Sequence, residues 1–239
     1  MEAYIVFNNQ SAAPEFVSGW GLSVFFRSKR LLFDTGSETN ALLHNFSLFN
    51  ITPSEIHSIF LSHFHWDHAG GLLGLLPHLS SPKIFLHRGF SSGFIAEIRR
   101  LGGEVVLFNE PSKIGPGVYT TGPLESSSPE AALIFDIQGK LALFTGCAHP
   151  GILNLVHKTK ELWGKVPLLV GGGFHLLQMS RKKIFFIAQE LHRLGVRLVA
   201  PSHCTGQKAL EVFADIFRNG FVAMGAGKIL FLEKLMRKF

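Results

Sequence analysis

Ile59-Phe60-Leu61-Ser62-His63-Phe64-His65-Trp66-Asp67-His68-Ala69-Gly70-Gly71 is the stretch on which the reading of this chain turns. Its first three residues are apolar and predict a strand, and four metal-ligating side chains then follow within six positions. On extended chain, residues two apart project to one side, so His63 and His65 are expected to hold one ion together. The chain is then predicted to turn into a helix that aims Asp67 and His68 at a second ion. Gly70 and Gly71 permit close backbone packing under that turn. Imidazole and carboxylate donors suit Zn²⁺, and a catalytic zinc site keeps one position open for water. A histidine-rich solvent loop would not gather these donors between an apolar strand and Ala-Gly-Gly.

Two later segments repeat the arrangement of a strand that ends in a histidine and a glycine-bounded turn. Leu143-Phe144-Thr145-Gly146-Cys147-Ala148-His149-Pro150-Gly151 is expected to bring His149 to the first ion. Val199-Ala200-Pro201-Ser202-His203-Cys204-Thr205-Gly206 is expected to bring His203 to the second, beside Asp67 and His68.

Around these motifs, short β-rich runs alternate with amphipathic helices. Strands are predicted over Tyr4–Phe7, Leu22–Arg27, Leu31–Phe33, Ser58–Leu61, Lys83–Leu86, Glu104–Leu107, Val118–Thr120, Ala132–Ile137, Leu141–Phe144, Leu168–Val170, Leu198–Ala200 and Lys228–Leu232. Gln138-Gly139-Lys140 predicts a hairpin turn. Helical periodicity follows Ser180, stopping at Gly195, and recurs from Ala209 to Phe217 and from near Gly151 to Leu162. With 239 residues, 46% hydrophobic and 17% charged, the chain is expected to form one large α/β domain over residues 1–239 rather than a disordered segment.

The formal net charge of +6 favours anionic ligands in general. The cations are scattered and do not alternate with aromatics, so a nucleic-acid partner is not expected. No apolar stretch is long enough to span a bilayer, and the N-terminus reads as a first strand, not a signal segment. A cytoplasmic protein that makes no use of the membrane is expected, with Cys147 and Cys204 reduced and, by default, apolar filler. The residues carry no signal of oligomeric state.

Taken together, the motifs resemble the metallo-β-lactamase superfamily over nearly the whole chain, up to Gly227. The resemblance implies an α/β (α+β) fold, a four-layer αββα sandwich with the metals at one edge of two sheets. Phe33-Asp34-Thr35-Gly36-Ser37 is similar to that family's early Asp-Thr-Gly turn, which implies that Asp34 orients a ligand histidine. Gly146-Cys147-Ala148-His149-Pro150-Gly151-Ile152, Gly172-Gly173-Phe174-His175-Leu176 and His203-Cys204-Thr205-Gly206 resemble the 7,8-dihydropterin-6-methyl-4-(β-D-ribofuranosyl)-aminobenzene-5′-phosphate synthases. The cofactor implied is one or two Zn²⁺ ions, with Mn²⁺ or Fe²⁺ as alternatives. Many members bridge their metals with an aspartate before the last histidine, and the stretch from Leu168 to Leu176 has none. His175 stands there instead, to bind the second metal, contact substrate or hydrogen-bond beneath the site.

The chemistry expected is metal-activated water directed at a small anionic ester or phosphoester, with Asp67 as ligand and proton acceptor. The cations at Arg181, Lys182 and Lys183 oppose the dipole of the helix they start, unless an anionic substrate docks there, with Arg181 and Lys182 as the candidate contacts. Trp66 is a candidate for stacking on a flat substrate. The competing readings are a synthase that uses the same metals and a metal-binding sensor without turnover.

Overall fold

A computed structural model describes residues 1–239. The strands are β1 (Glu2–Phe7), β2 (Ser23–Phe26), β3 (Leu31–Phe33), β4 (Ser58–Phe60), β5 (Lys83–His87), β6 (Glu104–Phe108), β7 (Ser112–Gly115), β8 (Val118–Leu124), β9 (Glu130–Ile137), β10 (Lys140–Thr145), β11 (Leu169–Gly173), β12 (Leu198–Ser202) and β13 (Ile229–Phe231). The helices are α1 (Thr39–Leu48), α2 (Trp66–Ala69), α3 (Leu72–Leu75), α4 (Ser92–Arg100), α5 (Ile152–Trp163), α6 (Arg181–Leu194), α7 (Gln207–Phe217) and α8 (Leu232–Met236). The three helices predicted from periodicity are α5, α6 and α7.

The strands form two sheets, ordered β13-β1-β2-β3-β4-β5-β6 and β12-β11-β10-β9-β8-β7. The chain divides along the same line into two compact units. One comprises Met1–Asn109 with Gly225–Leu232, the other Glu110–Met224 with Glu233–Phe239. Two mixed sheets with helices packed on them are the α/β class expected.

In the first unit β3 to β6 run parallel, whereas β13, β1, β2 and β3 pair antiparallel. In the second β10, β11 and β12 run parallel, and β7 to β10 pair antiparallel. Parallel neighbours need crossovers, which α1 to α6 supply, while β9 and β10 need only the two-residue turn at Gln138 and Gly139. Both turn residues have positive φ, 54° and 80°, as a primed hairpin turn requires.

Leu42 and Phe46 of α1 and Leu72 and Leu75 of α3 pack with Tyr4, Phe25, Leu32 and Ile59 of the first sheet. Leu155 of α5, Ile184 and Leu191 of α6 and Phe213 of α7 pack with Leu143, Val170 and Val199 of the second. Each such side chain contributes about 1.5–3 kcal/mol by leaving water. The alternate residues Ile5, Val24, Phe33 and Phe60, and Leu133, Phe135 and Phe144, are buried as well. Strands buried on both faces read as unbroken apolar runs, which is why most were predictable.

Among the elements outside the predicted set, α1, α4 and β7 each escape for a local reason. Helix α1 buries a polar residue, Asn45, whose amide donates to Val6 O and Val17 O and accepts from Val17 N. Helix α4 fully buries only Ile98 and starts at a Ser91 cap that accepts from Phe94 N. Strand β7 is an edge strand with no buried residue.

The loops leaving the carboxyl ends of the parallel strands hold the chemistry. In unit one these follow β3, β4 and β5; in unit two, β10, β11 and β12. Open α/β sheets present ligand sites at these strand ends.

Candidate metal centre

Asp34 leaves β3 in the left-handed region, φ 53°, fully buried. Its Oδ1 accepts from Ser62 N at 2.7 Å, and its Oδ2 accepts from Ser62 Oγ at 2.7 Å. The same Oδ2 lies 2.7 Å from His68 Nδ1. A carboxylate only accepts, so His68 carries its proton on Nδ1 and presents Nε2 as the basic nitrogen. Ser62 Oγ spends its proton on Asp34 and therefore accepts from His63 Nδ1 at 2.9 Å, which leaves His63 in the same tautomer. Burial pushes the Asp34 carboxyl above its ordinary value of 3.8, against the pull of His68 and Ser62. The strand-end loop is held further by His87, whose Nε2 lies 3.0 Å from Ser62 O while Nδ1 accepts from Gly89 N.

His63 and His65 meet with ring centroids 4.6 Å apart. Strand alternation is not the reason, because β4 ends at Phe60 and both residues lie on the following loop. Asp67 and His68 are on α2, with Asp67 Oδ2 and His68 Nε2 3.7 Å apart. This turn is pressed onto the Asp34 loop: a Cβ on Gly71 would fall 2.3 Å from Thr35 O. Thr35 N and Oγ1 both donate to His68 O. Trp66 starts α2 and is 64% exposed, whereas Phe90 is buried against Phe64 and His87.

The second unit is organised by a residue that the sequence reading missed. Glu130, at the start of β9, is fully buried. Its Oε1 accepts from Thr145 Oγ1 and from the backbone N–H groups of Cys147 and Ala148. Its Oε2 accepts from His149 N and lies 3.0 Å from His149 Nδ1. His149 is thus held as His63 and His68 are, through Nδ1 with Nε2 left for a cation. The available signal was an acidic residue opening the apolar run Ala131-Ala132-Leu133-Ile134-Phe135.

His203 sits beyond β12 in the left-handed region, φ 52°, and a ligand atom of Cys147 lies within 4.8 Å of one of its own. His175, with φ 53°, is exposed, and its ring centroid is 4.6 Å from that of His149. Cys147 and Cys204 are buried, and Cys204 Sγ donates to Cys147 O at 3.7 Å. Burial acts to raise the Cys204 thiol, but hydrogen bonds with Cys147 and His175 and the nearby His203 outweigh it and hold it well below the usual thiol range. Cys147 and His149 do not lie on extended strand, because β10 ends at Thr145 and Ala148 has φ 57°.

A cavity of about 300 Å³ adjoins these residues, lined by His149, His175, Leu153, Met179, Lys183 and Phe186 among others. Of the three cations expected at a bound anion, Lys183 lines it, whereas Arg181 and Lys182 do not. One helical turn carries Lys183, Phe186 and Ile187 to the cavity and leaves Arg181 exposed, 3.8 Å from Glu211. A larger, open groove of about 970 Å³ at the other end of α6 gathers no cluster of donors.

The metallo-β-lactamase superfamily profile matches residues 23–88, the segment that carries Asp34 to His68. The 7,8-dihydropterin-6-methyl-4-(β-D-ribofuranosyl)-aminobenzene-5′-phosphate synthase of Methanocaldococcus jannaschii is 32% identical over 248 residues, covering 84% of either chain. The solved structure of a metal-dependent hydrolase of the β-lactamase superfamily matches 96% of this chain and 98% of its own, with TM-score 0.83 and 26% identity. Human tRNase Z, short form, covers the same shares at TM-score 0.65 and 16% identity, a likeness of fold alone. By these likenesses the chain belongs to the metallo-β-lactamase superfamily of metal-dependent enzymes, in the subgroup of the archaeal synthase.

Proposed function

We propose that the chain is a zinc-dependent hydrolase that directs a metal-activated water at a small anionic ester or phosphoester. The observation that carries this reading is the shared state of three imidazoles. His63, His68 and His149 are each held through Nδ1, by Ser62, Asp34 and Glu130, so that each offers Nε2 to a cation. In this reading His63, His65 and His149 hold one ion, and Asp67, His68 and His203 hold a second. Bound zinc would lower the pKa of a water toward neutrality and polarise the substrate's oxygen. Asp67 holds the nucleophile's proton at its carboxylate, and His175 contacts the substrate beside His149. The cavity takes the substrate's apolar body, with Lys183 rather than Arg181 or Lys182 facing its anion.

A second reading, transfer rather than hydrolysis, is favoured by the relative that is 32% identical and named a synthase. It keeps the same ligands and makes the incoming group an aromatic amine or carbon. The chain is proposed to act as one functional domain over residues 1–239. A cytoplasmic location fits two cysteines that form no disulfide, and no helix is long and apolar enough to cross a membrane. The partner proposed is a small anionic molecule and not a nucleic acid.

Zinc-loaded protein assayed with bis-nitrophenyl phosphate, lactones and an aminobenzene ribofuranosyl phosphate plus an activated dihydropterin separates the readings. Hydrolysis that disappears in Asp67→Asn supports the first. Pterin product without hydrolysis replaces it with the second. Stoichiometric zinc with no turnover of any substrate sinks both.

A further inference from the structure

Strands β10, β11 and β12 are parallel neighbours, with Thr145 paired to Gly172 and Gly172 to Pro201. Adjacent strands lie about 4.8 Å apart, so residues leaving β10 and β12 start about 10 Å from each other across β11. Yet the Sγ atoms of Cys147 and Cys204 and a ring nitrogen of His175 all lie within 4.8 Å of one another. The thiols meet because the strand between them, Leu169-Val170-Gly171-Gly172-Gly173, ends in three residues without side chains. A Cβ on Gly173 would stand 2.6 Å from Cys204 Sγ and 3.2 Å from Cys147 Cα. Both thiols are buried and the imidazole is exposed, so the cluster has one face toward solvent.

We propose that Cys147, Cys204 and His175 form a cation site of their own, built wholly within the second unit and selective for a thiophilic divalent ion such as zinc. Two sulfurs and an imidazole around a tetrahedral zinc, with bonds of about 2.3 and 2.0 Å, stand roughly 3.5–3.8 Å apart. The three donors are already within an ångström or so of that spacing. Thiolate donors select zinc over magnesium, calcium and manganese, which prefer oxygen. Three protein donors leave a fourth position open, the pattern of a reactive rather than a purely structural ion. His175 also lines the cavity of about 300 Å³, so a group bound there has access to that position. None of its three donors is a metal ligand assigned above, although Cys147 Sγ also lies within 4.8 Å of a ring nitrogen of His203.

The chain has only two cysteines, which makes cobalt(II) a clean probe. Titration of metal-free protein with cobalt(II) should produce a near-ultraviolet thiolate-to-cobalt charge-transfer band. The band should persist in a His63→Ala/His65→Ala variant and fall by about half in Cys147→Ser and in Cys204→Ser. It should vanish in the double variant. X-ray absorption at the cobalt edge of the unmutated protein should show two sulfur neighbours, a readout that survives any folding defect of the variants. Cobalt bound without a charge-transfer band, or a band that one cysteine alone accounts for, would overturn the proposal. Failure of the metal centre that both functional readings share is separate: the His63→Ala/His65→Ala variant would then bind as much cobalt as the parent while the thiolate band remained.

Discussion

Asp34 and Glu130 are buried carboxylates that touch histidines rather than substrate, and their variants separate stability from function. In Asp34→Asn an amide N–H₂ replaces Oδ2 and faces the His68 Nδ1 proton. The ring must move that proton to Nε2, where it blocks a cation, so zinc affinity should fall about 10–100-fold by competition with a chromophoric chelator. Stability should hold or rise, because the variant no longer buries a carboxyl whose ionisation burial opposes. Glu130→Ala behaves differently. It strands the donors of Thr145, Cys147, Ala148 and His149, all of which end on one carboxylate. Denaturant unfolding should show a loss of about 3–5 kcal/mol. A retained midpoint would show that water replaces the carboxylate there.

Among the elements, β11 and the turns around Arg27 make the most specific demands. Gly173→Ala brings a methyl to within 2.4 Å of Gly146 O as well as against Cys204, so the outer strand-end loops must part. A cost of about 1–3 kcal/mol is expected, with Cys147 and Cys204 becoming reactive to alkylation in the native state. Arg27, from the turn Arg27–Lys29, binds both oxygens of Glu55 in the turn Pro53–Glu55, at 2.9 and 3.1 Å. The Arg27 hydrogen bonds hold the Glu55 carboxyl below its ordinary value of 4.5. A depressed carboxyl stabilises the fold above its unfolded value and ceases to do so as pH falls through the folded one. Glu55→Gln should therefore cost about 0.5–1 kcal/mol at neutral pH, discounted for exposure, and nothing once pH is well below 4.5. Thermal melts at both pH values check this; an equal deficit at each would assign the effect to packing.

For the protein as a unit, the proposed centre makes metal a stabilising ligand as well as a catalyst. Zinc at 100 times its Kd should add about 2.7 kcal/mol to unfolding, and a chelator should lower the melting temperature of the purified protein accordingly. A melting temperature indifferent to both would count against metal bound only by the folded state.

How far the residues spoke for themselves follows from the range of each interaction. The apolar runs and the periodicities of α5, α6 and α7 were legible because a strand buried on both faces and an amphipathic helix are local patterns. The run from His63 to His68 was legible because its donors are adjacent in the chain. Helix α1 escaped notice because Asn45 finds its partners in Val6 and Val17, far away in sequence. Glu130 escaped for the same reason: a lone glutamate in a strand means nothing until folding brings the backbone of 147–149 to it. Local chemistry written along the chain thus determined where the donor side chains cluster and where most strands and the helices α5, α6 and α7 form. Folding alone decided the tautomers of His63, His68 and His149 and the meeting of Cys147 with Cys204 across three glycines, because both depend on atoms that only close packing brings within hydrogen-bonding or bonding reach.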